Sequence, residues 1–202
     1  LSLARKINDN WTGLAKNYFL TTDDQSIPGY QIQNRFQLGG AYRPTWSNNF
    51  DALFTYENKY ESNSEIVPNE KRFVNLLSTN ENYHPYRSLW INGRFAAKSV
   101  NETLDGIKDS YQAYLLSGRI IKDLNKNFDF GFMASSMYSP QGNSTQYAYG
   151  LELGYLVQDN IWASIGYNLT GFTDKDLTGS DYTMQGAYIR LRAKFDEKAI
   201  KQ

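Results

Sequence analysis

The residues with the most chemistry to offer are charged side chains that recur on alternate positions: Arg35 and Arg43; Asp51, Glu57 and Lys59; Arg72; Arg94 and Lys98; Asp129; Glu152; and Arg190, Arg192 and Lys194. A period of two places such residues on one face of a strand. Charges gathered on one face either pair with each other or line a wet wall that selects ions, because an unpaired buried charge is costly. The mixed signs therefore predict a cross-linked set of ion pairs or a narrow, weakly selective pore. Arg190-x-Arg192-x-Lys194 would make one wall positive and favour anions. Neutralisation of that wall by Glu152 and Asp129 is the preferred reading.

Other chemistries find little support. The single histidine, His84, sits in Tyr83-His84-Pro85-Tyr86, which is expected to be a short turn. A hydrolase would need its base beside a serine or acidic partner at a substrate-facing rim, so no catalytic residue is assigned and no enzyme is expected. Asp174-x-Asp176 with Gly179 and Asp181 superficially suits a hard cation, but it lacks the closing bidentate glutamate of a calcium loop; no metal or cofactor is expected. Cysteine is absent, which removes disulfides and thiolate chemistry together. The 21 basic residues balance 21 acidic ones. No phosphate-cradling glycine loop or basic run appears, so nucleic acid is not expected as a partner.

The elements that must carry these charges announce themselves by a beat. Trp11, Phe50, Leu89 and Phe128 each open an alternating segment after a short polar turn, at a constant interval of 39 positions, and Ile161-Trp162 opens the next after a shorter one. A fixed period of this size names the repeating unit, here a long β-hairpin. Period-two scoring gives about eleven segments: 1–6, 11–22, 31–43, 50–61, 71–82, 88–100, 110–122, 127–138, 146–157, 160–171 and 182–195. The segment 110–122 is the least regular. Short connections are expected at 7–10, 44–49, 83–87, 123–126 and 158–159. Longer ones are expected at 23–30, 62–70, 101–109, 139–145 and 172–181.

Most of these segments are far longer than a soluble strand of about 5–6 residues. Aromatics make up 15% of the chain while its mean hydropathy is −0.60. Large aromatics stand beside the short turns at Trp11, Trp46, Phe50, Trp90, Phe128 and Trp162, as an interfacial girdle requires. Glycines fall on the polar face at Gly39, Gly131, Gly150, Gly154 and Gly166, where crowding would demand small residues. No apolar run reaches the roughly 20 residues of a membrane helix. The expected fold is therefore all-β: a single domain over 1–202 forming an antiparallel up-and-down transmembrane β-barrel in the bacterial outer membrane. An even strand count favours about 12 strands with the first one truncated, or 10 if 1–6 is only a lead-in. Short turns and the C-terminus would be periplasmic. A soluble ligand-binding barrel would show the same alternation with its apolar residues inside.

Three stretches carry a resemblance. They are Arg35-x-Gln37-x-Gly39-x-Ala41-Tyr42-Arg43-Pro44, Gly154-Tyr155-x-Val157-x-Asp159-Asn160-x-Trp162-x-x-x-Gly166-Tyr167-Asn168, and the ending from Gly171-Phe172 through Asp181-Tyr182-Thr183 to Lys194-Phe195-Asp196-Glu197. Together they resemble the C-terminal outer-membrane barrel of very large adhesin-like or repeat-bearing surface proteins of Gram-negative bacteria. The resemblance implies an anchor or translocator and brings no catalytic residue or cofactor. Its implied partners are outer-membrane lipid or lipopolysaccharide, upstream domains of the same polypeptide, and subunits of an envelope complex. The charged face supports an alternative, a self-contained small channel or porin with Arg35, Asp51, Glu57, Arg94, Asp129, Glu152, Arg190, Arg192 and Lys194 in its lumen.

Overall fold

A computed structural model describes residues 1–23, 29–64, 70–158, 161–177 and 185–193. They form eleven strands: β1 (Ser2–Lys6), β2 (Trp11–Thr22), β3 (Gln31–Tyr42), β4 (Phe50–Asn63), β5 (Glu70–Tyr86), β6 (Leu89–Leu104), β7 (Ile107–Asp123), β8 (Phe128–Ser139), β9 (Ser144–Gln158), β10 (Ile161–Thr170) and β11 (Gly186–Ala193). Their order in the sheet is their order in the chain. The ladders joining β1 to β2, β2 to β3, β3 to β4, β9 to β10 and β10 to β11 are antiparallel. The all-β, antiparallel up-and-down class expected from the sequence is thus the one observed. The beat survives intact, since β2, β4, β6, β8 and β10 begin at Trp11, Phe50, Leu89, Phe128 and Ile161.

Segment 1–6 is a true strand, its residues paired with Thr12–Lys16 of β2, so the ten-strand alternative fails. The twelfth strand expected for an even count is not among the described residues. The expected loop 101–109 is also wrong. β6 runs to Leu104 and β7 starts at Ile107, joined by Asp105-Gly106 with φ of 49° and 81°. Two successive left-handed residues make the type I′ turn whose twist matches a hairpin, and Asp-Gly is a preferred pair for it. The expected alternation of short and longer connections breaks there. His84 likewise leaves its expected turn, because β5 continues through Tyr86 and the turn is Arg87-Ser88.

Along β9 the large side chains Tyr147, Tyr149, Leu151, Leu153 and Tyr155 are exposed, while Ala148, Gly150, Glu152 and Gly154 are buried. In β8, Phe128, Phe130 and Phe132 are exposed while Asp129, Gly131 and Met133 are buried. The sheet therefore has an exposed apolar face and a buried face that carries the charges. Contact density divides the chain into two compact units whose boundaries fall within strands. The first comprises Leu1–Glu81, Arg94–Leu116 and Met137–Thr145; the second comprises Asn82–Gly93, Ser117–Ser136 and Gln146–Gln202. In the first unit the buried face is not uniformly polar. Val74, Leu76, Ala96, Val100, Ala113, Leu115 and Met137 pack there beside Glu57, Lys59, Arg72 and Lys98. In the second, Asp129, Ser135, Glu152, Ser164 and Asn168 are buried beside Met133 and Ala148.

Candidate functional site

In the first unit a charged centre forms between two neighbouring strands. Gln37 of β3 lies directly opposite Glu57 of β4, and Arg35 lies opposite Lys59. Register alone thus delivers the partners, as expected for cross-strand pairs. The Arg35 Nε donates to Glu57 Oε1, Gln37 Nε2 donates to Oε2 at 2.5 Å, and the Lys59 ammonium lies 3.3 Å from Oε1. Nearby, Arg72 reaches Glu61 at 3.4 Å, and the Lys98 ammonium stands 5.2 Å over the Tyr111 ring.

The second unit holds a larger centre around Glu152. Its Oε2 accepts from Arg119 Nη2 at 2.6 Å, Arg190 Nη1 at 3.0 Å and the Tyr188 hydroxyl at 3.0 Å, while Oε1 accepts from Ser164 Oγ at 2.8 Å. The donors come from β7, β10 and β11. Arg119 and Tyr188 are separated from β9 by whole strands, and glycines provide the clearance. Gly166 is paired with Glu152 on one side and with Tyr188 on the other. A methyl group on Gly166 would fall inside the Tyr188 ring, and one on Gly131 of β8 would stand 3.4 Å from the Glu152 Cβ. A second pair follows the same plan, with Arg192 Nη2 2.9 Å from Asp129 Oδ2 and the Asp129 carboxylate lying where a side chain on Gly154 would be. Charge-assisted bonds of this kind are stronger than neutral ones. Fully partnered, Glu152 ties four strands together.

The predicted site residues can now be placed. Arg35 and Glu57 meet in the first unit; Glu152 meets Arg190, and Asp129 meets Arg192, in the second. Arg190 and Arg192 are thus each paired with a carboxylate. Asp51 and Arg94 are half-buried on the same face and engaged in interactions of their own, and Lys194 lies outside the described residues. Arg119, Ser164, Tyr188 and Gln37 were missed. Arg119 keeps step with the buried Ala113, Leu115 and Ser117, but leucines on both faces of β7 hide its alternation. Asp174 uses its Oδ1 to accept from the backbone N–H groups of Asp176 and Leu177 at 2.9 and 3.1 Å, which is an ordinary turn, and Gly179 and Asp181 lie outside the described residues.

The aromatics expected beside the short turns fall on both faces. Trp11 sits 5.0 Å from Tyr42 and 6.0 Å from Phe54 on the apolar face, Phe50 pairs with Tyr42 at 6.1 Å, and Phe128 with Tyr155 at 4.9 Å. Trp46 is exposed in the connection after β3. Trp90 and Trp162, however, belong to the charged face. Trp162 keeps step with Ser164, Gly166 and Asn168, and Trp90 with Asn92, Arg94 and Ala96. Both line a cavity of about 390 Å³ together with Arg87, Asp123, Asp129 and Arg192. Trp90 also meets the His84 ring edge-on at 3.9 Å.

No family model matches the chain, and no curated protein matches it. Among solved structures it is similar to the NanC porin in its rhombohedral crystal form, with 9% identity, 96% of this chain and 98% of that one covered, and a TM-score of 0.48. A likeness of that strength decides neither family nor function.

Proposed function

We propose that this chain is a transmembrane β-barrel of the bacterial outer membrane whose charged face is tied shut by ion pairs, and that it anchors or translocates a larger surface polypeptide. The observation that carries the membrane part is the inverted distribution of side chains. Fully burying a Phe or Leu is worth about 1.5–3 kcal/mol in water, and Phe128, Phe130, Phe132, Leu151 and Leu153, each 40–44% exposed, forfeit part of it while Glu152 and Asp129 are buried. Lipid removes that penalty. Strands such as β4 (14 residues) and β8 (12 residues) exceed the ~9–11 needed to cross a bilayer when tilted. A soluble barrel with its apolar residues inside is at odds with the same distribution.

The anchoring part rests on the resemblance of the three stretches to surface-protein barrels. Density-gradient fractionation of a Gram-negative host expressing the chain behind a secretion signal tests the location; recovery in the soluble fraction would sink it. A peptide epitope fused ahead of Leu1 tests the role. Antibody labelling of intact cells is expected, and an epitope detected only after the outer membrane is opened would count against translocation. The channel reading draws on the mixed-sign charges, but the Glu152 network occupies the wall that would have to conduct. Planar-bilayer recordings are therefore expected to show no discrete conductance steps.

A further inference from the structure

We propose that the exposed face of β3 to β5 around Asn58 and Asn75 is the contact through which two copies of this chain pair within the membrane. The inference rests on the membrane reading, because side-chain amides on this face are costly only where lipid surrounds them. Asn58 lies opposite Phe36 of β3, and the next side chains on its face of β4 are Tyr56 and Tyr60. Asn75 stands between Phe73 and Leu77 on β5, and Phe36, Tyr56, Phe73 and Leu77 are all exposed. Tyr60 and Phe73 lie nearer than the asparagines to the β4–β5 connection. The two amides are therefore set inside the apolar band and not beyond its aromatic edge. Polar side chains at that depth are expensive against lipid and mark a functional surface.

The hydrogen bonds inside the patch narrow the choice of partner. Asn75 Oδ1 accepts from the Tyr56 hydroxyl at 2.7 Å and from Asn58 Nδ2 at 3.0 Å. Those bonds leave the Nδ2 of Asn75 and the Oδ1 of Asn58 outside them, one a donor and the other an acceptor. A second copy of the same surface, turned about a two-fold axis, brings an acceptor to the donor and a donor to the acceptor, so that one contact is made twice. Lipid tails supply neither group. None of the side chains around the amides is charged, so the patch does not call for a partner of opposite sign. Amides of this kind hold membrane segments together, and the exposed rings of Phe36 and Tyr56 close lipid out around them. The exposed face of the second unit is a contrast: Phe130, Leu151, Leu153 and Ile165 are apolar side chains that lipid satisfies.

The absence of cysteine from the chain makes the test direct. Leu77→Cys, beside the patch, and Leu151→Cys, on the apolar face of the second unit, are expressed behind a secretion signal and treated with a short bismaleimide in the outer-membrane fraction. Cross-linked pairs of chains are expected for Leu77→Cys and single chains for Leu151→Cys. Asn58→Leu together with Asn75→Leu should weaken the dimer about tenfold, read by sedimentation equilibrium in detergent micelles, while far-UV circular dichroism is unchanged. If that double variant fails to fold, Asn58→Leu alone, which keeps the bond from Tyr56 to Asn75, is expected to weaken the dimer measurably. Single chains from Leu77→Cys in the membrane fraction would overturn the proposal and leave the membrane reading standing. So would a dimer indifferent to the leucines, since the amides would then play no part in it. Recovery of the chain in the soluble fraction would remove the membrane reading and the pairing together.

Discussion

Glu57 and Glu152 are both buried glutamates on the charged face, 6% and 4% exposed, and both are met by arginine, yet they are built differently. Arg35, Gln37 and Lys59, which surround Glu57, come from β3 and β4, and strand register alone brings them together. The partners of Glu152 come from β7, β10 and β11, and Gly166 must leave room for the Tyr188 ring that reaches across it. One centre is a product of a single hairpin and its ladder; the other exists only when five consecutive strands have found their places. Local pairs form with little loop-closure cost, whereas the Glu152 network must pay for long-range order before any bond is made. It follows that Glu57 reports on a hairpin and Glu152 on the assembly of β7 to β11.

The largest expected effect comes from emptying the two centres in turn. Glu152→Ala leaves the Arg119 and Arg190 guanidiniums facing each other without a carboxylate, a loss of about 3–5 kcal/mol for a broken buried pair. Glu57→Ala should be milder, about 1–3 kcal/mol, because the Arg35 side chain is 43% exposed and can return to water. Urea titration of both variants measures the difference as a shift in midpoint. Should Glu57→Ala prove the more damaging of the two, the contrast between local and assembled centres collapses.

Next in size is the glycine that lets the assembled centre exist. Gly166→Ala drives a methyl group into the Tyr188 ring, an overpacking of about 1–3 kcal/mol. Tyr188→Ala added to it should recover part of that loss, and a double-mutant cycle isolates the coupling. Additive effects would mean that the ring does not occupy the space above Gly166. Gly131→Ala, with its nearest contact an ordinary 3.4 Å, is expected to stay under about 1 kcal/mol. On the local side, Gly106→Ala places a side chain at φ 81° in the β6–β7 turn, at about 1–2 kcal/mol. That change should leave the Glu152 centre untouched, which the fluorescence of Trp162 on the neighbouring rung of β10 can check.

The same contrast explains what could be read from the chain. Strand starts were legible because Trp11, Phe50, Leu89, Phe128 and Ile161 each follow a polar turn, and turns are local. The signs on the charged face were legible because period two is local as well. Asp105-Gly106 was hidden by its neighbours: Glu102, Lys108 and Asp109 made a strand extension look like a solvated loop. The face of Trp162 was legible from period two, since it is in step with Ser164 and Asn168. Arg119 and Tyr188 could not be joined to Glu152 from sequence. Their meeting depends on the register of strands that are not neighbours, and on glycines whose role is visible only between the two partners.

The smallest expected effect sets the floor of the comparison. Lys6 and Asp9 make an ion pair at 2.7 Å in the first turn, with side chains 66% and 80% exposed, so this is a carboxylate with one cation and no burial. The Lys6 ammonium, by hydrogen bond and by charge, holds the Asp9 carboxyl below its ordinary value. A depressed carboxylate lends stability above its unfolded pKa and loses it as the pH falls through the folded one. Exposed pairs, however, are screened and commonly contribute nothing measurable. Lys6→Ala should therefore raise the midpoint of Asp9 in an NMR titration and leave the urea midpoint where it was at neutral pH. A clear loss of stability would mean that an exposed turn pair does the work assigned here to burial, and that the partners around Glu57 and Glu152 owe less to the face they occupy than to charge alone.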